Sequence, residues 1–200
     1  METLLSVCVG IGLSAACGFR VFVPLVVMSV AALTGYLTPA HGFEWVGSYP
    51  ALVGFAVATC VEIAGYYVPW VDNLLDTIAT PAAIIAGTLV TASMVADLSP
   101  FLKWTLAIIA GGGVAGMVQG TTVTARGVSS IGTGGLGNAL IATAELAAST
   151  IASIIAVLAP LLAVGLLAMF LLVLCRKLFR KKTQAQPKNS ASGLARGQVA

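Results

Sequence analysis

The sequence predicts an all-α integral membrane protein of about six transmembrane segments, and three observations predict it. Of its 200 residues, 58% are hydrophobic and only 8% are charged. The mean hydropathy is +1.02. Long apolar runs follow one another with short breaks between them. A soluble domain carries about a quarter charged residues, so this chain belongs in lipid, where a spanning helix needs roughly 20 apolar residues.

The first apolar block runs from Leu4 to Leu33 and is interrupted by "CGFRVFVP". At about 1.5 Å per residue it is too long for one untilted span. It reads as two half-helices, or as a span followed by a re-entrant stretch. The polar loop "TGYLTPAHGFEWVGSYP" follows, with Trp45 and Tyr49 suited to the membrane interface. The second segment, Ala51 to Val68, carries Glu62. "PWVDNLLDTIATP" leads to a third segment, Ala82 to Leu98, and "SPFLKW" reads as a tight turn. The fourth segment, Trp104 to Val123, contains "GGGVAGMVQG". The Gly- and Ser-rich "ARGVSSIGTGGLGN" comes next, and its "GTGGLGN" reads as irregular backbone. The last block, Ala139 to Cys175, is again too long for one span, and Pro160 divides it into a fifth and a sixth segment.

Charge is distributed unevenly. Up to Cys175 there are three bases, Arg20, Lys103 and Arg126, against seven acids, a balance of −4; the seven bases after Cys175 face no acid, which restores the overall +3. The basic pI of 8.8 therefore belongs to the tail and does not indicate nucleic acid. Residues 177–200 are expected to be a disordered cytoplasmic tail by composition and by the positive-inside rule, able to touch anionic lipid heads. Residues 1–176 form the polytopic domain.

The four cysteines, Cys8, Cys17, Cys60 and Cys175, lie in apolar runs without CxxC spacing. They argue for small, unpaired hydrophobes rather than a metal site or a disulfide framework. No Lys or Arg precedes the first apolar run, so that run is expected to be retained rather than cleaved as a leader.

The two halves of the domain echo each other. "ATCVEIA" (58–64) and "ATAELA" (142–147) each place a glutamate, a branched aliphatic and an alanine after Ala-Thr. Each half also carries an arginine near an interruption of its first segment: Arg20 in "CGFRVF" and Arg126 in "TTVTARGVSS". This predicts two inverted three-segment repeats, 1–98 and 101–176, with broken or re-entrant helices.

Glu62 and Glu145 are the leading candidates for a proton or cation site, since ionisable residues at membrane depth usually face a bundle interior or an aqueous cavity. Arg20 and Arg126 are candidates for gripping an anionic group, because a guanidinium binds phosphate or carboxylate bidentately; the alternative is a cytoplasmic topology role for Arg126, and snorkelling or pairing with a glutamate for Arg20. Asp72 and Asp76, spaced i, i+4 in "WVDNLLD", face one way on a helix. They either coordinate a cation through oxygen or lie in a solvated loop or interfacial helix, and the latter is the favoured reading. Asp97 reads as interfacial. Gln119 is expected to bond to a neighbouring helix, and Gly112, Gly116 and Gly120 form a small-residue packing face. No cofactor motif is present: the glycine runs lack the endings that bind phosphate or dinucleotide. The single His41 lies in a loop, and no GxSxG or HExxH occurs, which argues against an enzyme.

The strings "ACGFRVFVPLVVMSVAALTG", "GSYPAL", "YYVPWVDNLLDTIATPAA", "SPFLKWTLAIIAGGGVAGMVQG" and "TGGLGN" resemble a bacterial membrane-protein family catalogued as a domain of unknown function (DUF four-one-two-six), over about Ser6 to Cys175. A weaker similarity is to the DedA-like superfamily of lipid and ion transporters. There "GFRVFVPL" and "TARGVSSIGTGG" would stand for re-entrant hairpins, although the acids here lie on later helices. The resemblance implies a bacterial inner-membrane protein.

Together these readings give three expectations. The first is a small transporter or permease for a small or lipid-linked anionic solute, coupled to a proton or cation, and compatible with a homodimer. The second is a scaffold or assembly factor whose polar residues only lock helices. The third is an interfacial lipid-modifying enzyme using Asp72 and Asp76.

Overall fold

A computed structural model of the chain describes residues 2–134 and 136–184. The side chains at 2, 69, 70, 72, 73 and 178–184 lie outside that description, as do residues 185–200. All regular structure among the described residues is helical. The elements are α1 (Glu2–Cys17), α2 (Val23–Leu33), a 3-10 turn (Glu44–Gly47), α3 (Tyr49–Tyr66), α4 (Pro69–Met94), α5 (Pro100–Leu106), a π-helical stretch (Ala107–Gly112), α6 (Gly113–Thr133), α7 (Asn138–Leu158) and α8 (Pro160–Gln184). Five helical stretches are long and apolar enough to cross a membrane: α3, most of α4, the continuous 34-residue run from Pro100 to Thr133, α7 and the first part of α8. The chain is an all-α membrane protein.

The described residues up to Val164 form one compact unit, and those from Gly165 onward belong to a second. The second contains the greater part of α8, apolar to Cys175 and basic from Arg176. Helix continues to Gln184, into the tail expected to be disordered from Lys177 onward; the rest of that tail falls outside the described residues.

Within the first unit the leading apolar block is a helical hairpin. Thr3 near the start of α1 donates to Asp97 (3.2 Å), just past α4. Ala40, in the loop after α2, donates its N–H to Ser93 O (2.7 Å), near the end of α4. Both ends of the hairpin therefore lie at one end of α4, and residues 18–22 form its inner tip. At 16 and 11 residues these helices are short for a membrane crossing. Irregular backbone within a membrane domain is tolerated where it is buried in protein or lines a cavity, and the residues leading into this tip are buried. Leu13, Ala16 and Cys17 are fully buried, and α1 packs on α2, α4, α6 and α7.

Small and hydroxylated residues bring these helices together, as expected where lipid supplies no hydrophobic drive between them. Ser14 Oγ donates to Gly87 O (2.7 Å) and pairs with Thr91 Oγ1 (2.8 Å), joining α1 to α4. Ser149 Oγ of α7 donates to Ala16 O (3.0 Å), a carbonyl of the last turn of α1. A Cβ at Gly18 would come within 2.6 Å of Ala115 O, so the hairpin tip approaches the α6 backbone as closely as glycine permits.

Several expectations are corrected. "SPFLKW" is not a tight turn, because Pro100 fits the first turn of α5, where its missing N–H costs nothing. "PWVDNLLDTIATP" is helical throughout; α4 begins at Pro69 and continues through Pro81. The glycine-rich stretch is helical to Thr133 and turns only at Gly134, whose φ of +63° ends α6. Pro160 does divide the last block, starting α8 directly after α7.

Candidate functional site

The tip of the hairpin leaves a set of backbone N–H groups that helix geometry alone does not satisfy. Those of Gly18, Phe19 and Arg20 bond back to carbonyls of α1. Those of Val21 and Phe22 have no such partner, and Glu62 supplies it. Glu62 Oε1 accepts from Val21 N (2.9 Å) and Oε2 from Phe22 N (3.2 Å). The isolated carboxylate of α3 is thus the cap of a helix that starts inside the protein. Charge at the N-terminus of α2 also suits the helix dipole.

Arg20 leaves the same tip and is 1% exposed. Its Nη2 donates to Ala142 O on α7 (2.9 Å), and its guanidinium carbon lies 3.9 Å from the centroid of the Tyr66 ring. Among the described residues its Nε and Nη1 meet no acceptor. Arg126 of α6 reaches the same ring, also at 3.9 Å. Two guanidinium groups at that distance from one centroid must occupy opposite faces, so Tyr66 is sandwiched between them.

Arg126 closes the network. Its Nε donates to Glu145 Oε1 (3.1 Å) and its Nη2 to Glu145 Oε2, a bidentate pair. Its Nη1 donates to Asp76 Oδ1 of α4 (3.1 Å). Glu62, Tyr66, Arg20, Arg126 and Glu145 are all buried, and Asp76 is nearly so. Asp76, Arg126 and Glu145 each lie seven residues from a helix end on the α3–α4 and α6–α7 side, about 10 Å along the axis. With its five ionisable groups charged, the cluster holds two cations and three anions.

Five of the predicted site residues therefore converge: Arg20, Glu62, Asp76, Arg126 and Glu145. Of the favoured reading of Asp76, a solvated loop or interfacial helix, the loop is corrected because α4 extends through it, and the residue is turned onto Arg126 rather than into solvent. The side chain of Asp72 lies outside the described residues. Gln119 is buried two turns before Arg126 on the inward stripe of α6, with Ala115 and Thr122. Of the packing glycines, Gly112 and Gly116 face α4 through Ile84 and Thr88, but a Cβ at Gly120 would meet nothing within 4 Å. The third small contact is Gly111, against Gly87 and Thr91. Tyr66 was missed because an aromatic near a membrane interface reads as a belt residue. Its spacing of four from Glu62, on one helix face, was the available signal.

The family described as a domain of unknown function (DUF4126) matches residues 7–180. The chain belongs to that family. The match takes in every residue of the cluster. No curated protein and no solved structure matches the chain, so the similarity to the DedA-like superfamily gains no support from these comparisons.

Proposed function

We propose that this DUF4126 protein is a small membrane transporter whose solute-binding site is the cluster at the hairpin tip. The observation that carries the reading is Arg20: a buried guanidinium with two donor nitrogens that meet no acceptor in the described chain. Buried donors of this kind normally find a partner, and a guanidinium selects the planar, bidentate oxygens of a carboxylate or phosphate. The solute is therefore a small or lipid-linked anion. The surplus carboxylate in the cluster favours uptake of a proton or cation alongside it, since an unbalanced charge at this depth is costly. The basic tail supports placing the C-terminus in the cytoplasm of a bacterial inner membrane. A homodimer and a contact between the tail and anionic lipid remain compatible with this reading. All three acids described in the cluster are bound to N–H groups, which favours a carrier over an acid-catalysed enzyme.

One observation favours a second reading, a scaffold without transport. Arg126 already bonds to two helices at once, Glu145 of α7 and Asp76 of α4, as a structural lock would. Thiol labelling separates the two. In a chain with its four cysteines replaced, Thr122→Cys and Ala142→Cys are exposed to membrane-impermeant reagents from each side of sealed vesicles. A transporter labels from at least one side. Inorganic phosphate then slows labelling, and Arg20→Gln abolishes that protection. Unlabelled cysteines in a folded protein would mean a dry lock and favour the scaffold.

A further inference from the structure

A second feature of the first unit is apolar. A cavity of about 330 Å³ lies between α2, the 3-10 turn, α3 and α4. Along α4 it extends from Ala82 to Ser93, eleven residues, or about 16 Å. Phe22, Leu25 and Met28 of α2 form the facing wall. The cavity is thus a slot, long and narrow, with the shape of a hydrocarbon chain rather than a compact solute. Ile85 and Leu89 on its flank are 60% and 43% exposed, so it opens sideways toward the bilayer. Its volume falls at the small end of ordinary ligand pockets.

The outer end of the slot is chemically different. Phe43 and Trp45 line it, in the loop-to-helix region where aromatic rings suit the headgroup level. Lys103 Nζ stands 4.9 Å from the centroid of the Phe43 ring. No carboxylate is paired with Lys103 among the described residues. Glu44 turns back to accept from Gly42 N (2.8 Å), and Asp97 accepts from Thr3. An unpaired ammonium at the mouth of an apolar slot is complementary to an anionic head joined to a hydrocarbon tail.

We propose that this slot is a lipid site, taking one acyl chain of an anionic phospholipid with its phosphate against Lys103. The site stands whether or not the chain transports a solute. Its inner end is nevertheless built by Phe22, whose backbone N–H is held by Glu62. A chain in the slot therefore presses on the same hairpin tip that carries Arg20.

The test uses the full chain in vesicles containing phosphatidylglycerol or phosphatidylcholine with a photoreactive group on one acyl chain. Crosslinks are mapped by mass spectrometry, which separates the slot from any lipid held by the tail. The expected result is crosslinking at Leu25, Met28 and Leu89, favouring phosphatidylglycerol about fivefold, the scale of one lysine at a membrane surface. Lys103→Gln should reduce that preference to parity while crosslinks at the slot persist. Ala82→Phe should fill the inner end and remove crosslinks at Leu25. If Ala82→Phe fails to fold, Lys103→Gln still decides the matter. Equal crosslinking from both lipids in the unmodified chain would overturn the site, leaving ordinary bulk lipid. So would slot crosslinks no stronger than those on the outward face of α3, at Val53 and Val57.

Discussion

Arg20 stacks on Tyr66 at 3.9 Å, the last residue of α3 meeting a hairpin tip that lies 46 positions earlier in the sequence. Arg126 stacks on the other face at the same distance. Two like charges are thereby held apart by a ring whose two faces both attract cations. Each such contact contributes from about 0.5 to 2 kcal/mol, more when desolvated. Tyr66→Leu removes both and is expected to destabilise the protein by roughly 1–4 kcal/mol. Tyr66→Phe keeps both ring faces and is expected to change stability by less than about 1 kcal/mol. Thermal unfolding in detergent compares the two. Equal losses would show that the hydroxyl matters and the faces do not.

Glu62 caps the hairpin through two oxygens, each with its own backbone donor. Glu62→Gln keeps one acceptor oxygen and strands one N–H; Glu62→Ala strands both. A buried unsatisfied donor costs about 1–3 kcal/mol, so the alanine variant should lose about twice as much as the glutamine variant. The local signature is faster hydrogen exchange at the amides of Val21 and Phe22, while Gly18 and Arg20, bonded within α1, stay protected. Unchanged exchange at Val21 and Phe22 would remove Glu62 from the cap.

The sequence made the membrane class plain, because hydropathy and scarcity of charge both follow from solvation by lipid. It also exposed the cluster, since Arg20, Glu62, Arg126 and Glu145 are conspicuous against apolar runs. The pairings were not legible. The repeat "ATCVEIA"/"ATAELA" suggested equivalent glutamates, yet Glu62 binds backbone and Glu145 binds Arg126. That difference arises from a hairpin tip whose free N–H groups no one-dimensional pattern displays. The extent of α4 was hidden for a related reason. Pro69, Asp72, Asn73 and Pro81 are loop residues by local preference, but proline is tolerated in helices at membrane depth when neighbours compensate.

The Arg126–Glu145 pair is buried and bidentate, and removing one partner from such a pair costs about 3–5 kcal/mol. Arg126→Met leaves Glu145 and Asp76 without their shared cation and is expected to fall at the upper end of that range. The double variant Arg126→Met/Glu145→Gln leaves one fewer stranded charge and should recover part of the loss. A double-mutant cycle in detergent measures the coupling; strictly additive losses would mean that the two side chains act independently.

The glycines of the π-helical stretch and α6 separate packing from spacing. The regular interval Gly112, Gly116, Gly120 suggests three equivalent contacts, but the π-helical stretch before α6 shifts the register toward Gly111. A Cβ at Gly111 would come within 2.5 Å of Gly87 O and press on Thr91 Oγ1. Backbone cannot yield there as a flexible side chain would, so Gly111→Ala should destabilise by about 1–3 kcal/mol, the usual cost of overpacking. Gly120 faces open space inside a helix, where alanine is better than glycine by up to about 1 kcal/mol. Gly120→Ala should therefore leave stability unchanged or raise it. Thermal unfolding of the two variants side by side gives the answer. Opposite signs place the α4 contact at Gly111; a loss at Gly120 equal to that at Gly111 would mean that Gly120 meets a second copy of the chain or another partner in the membrane.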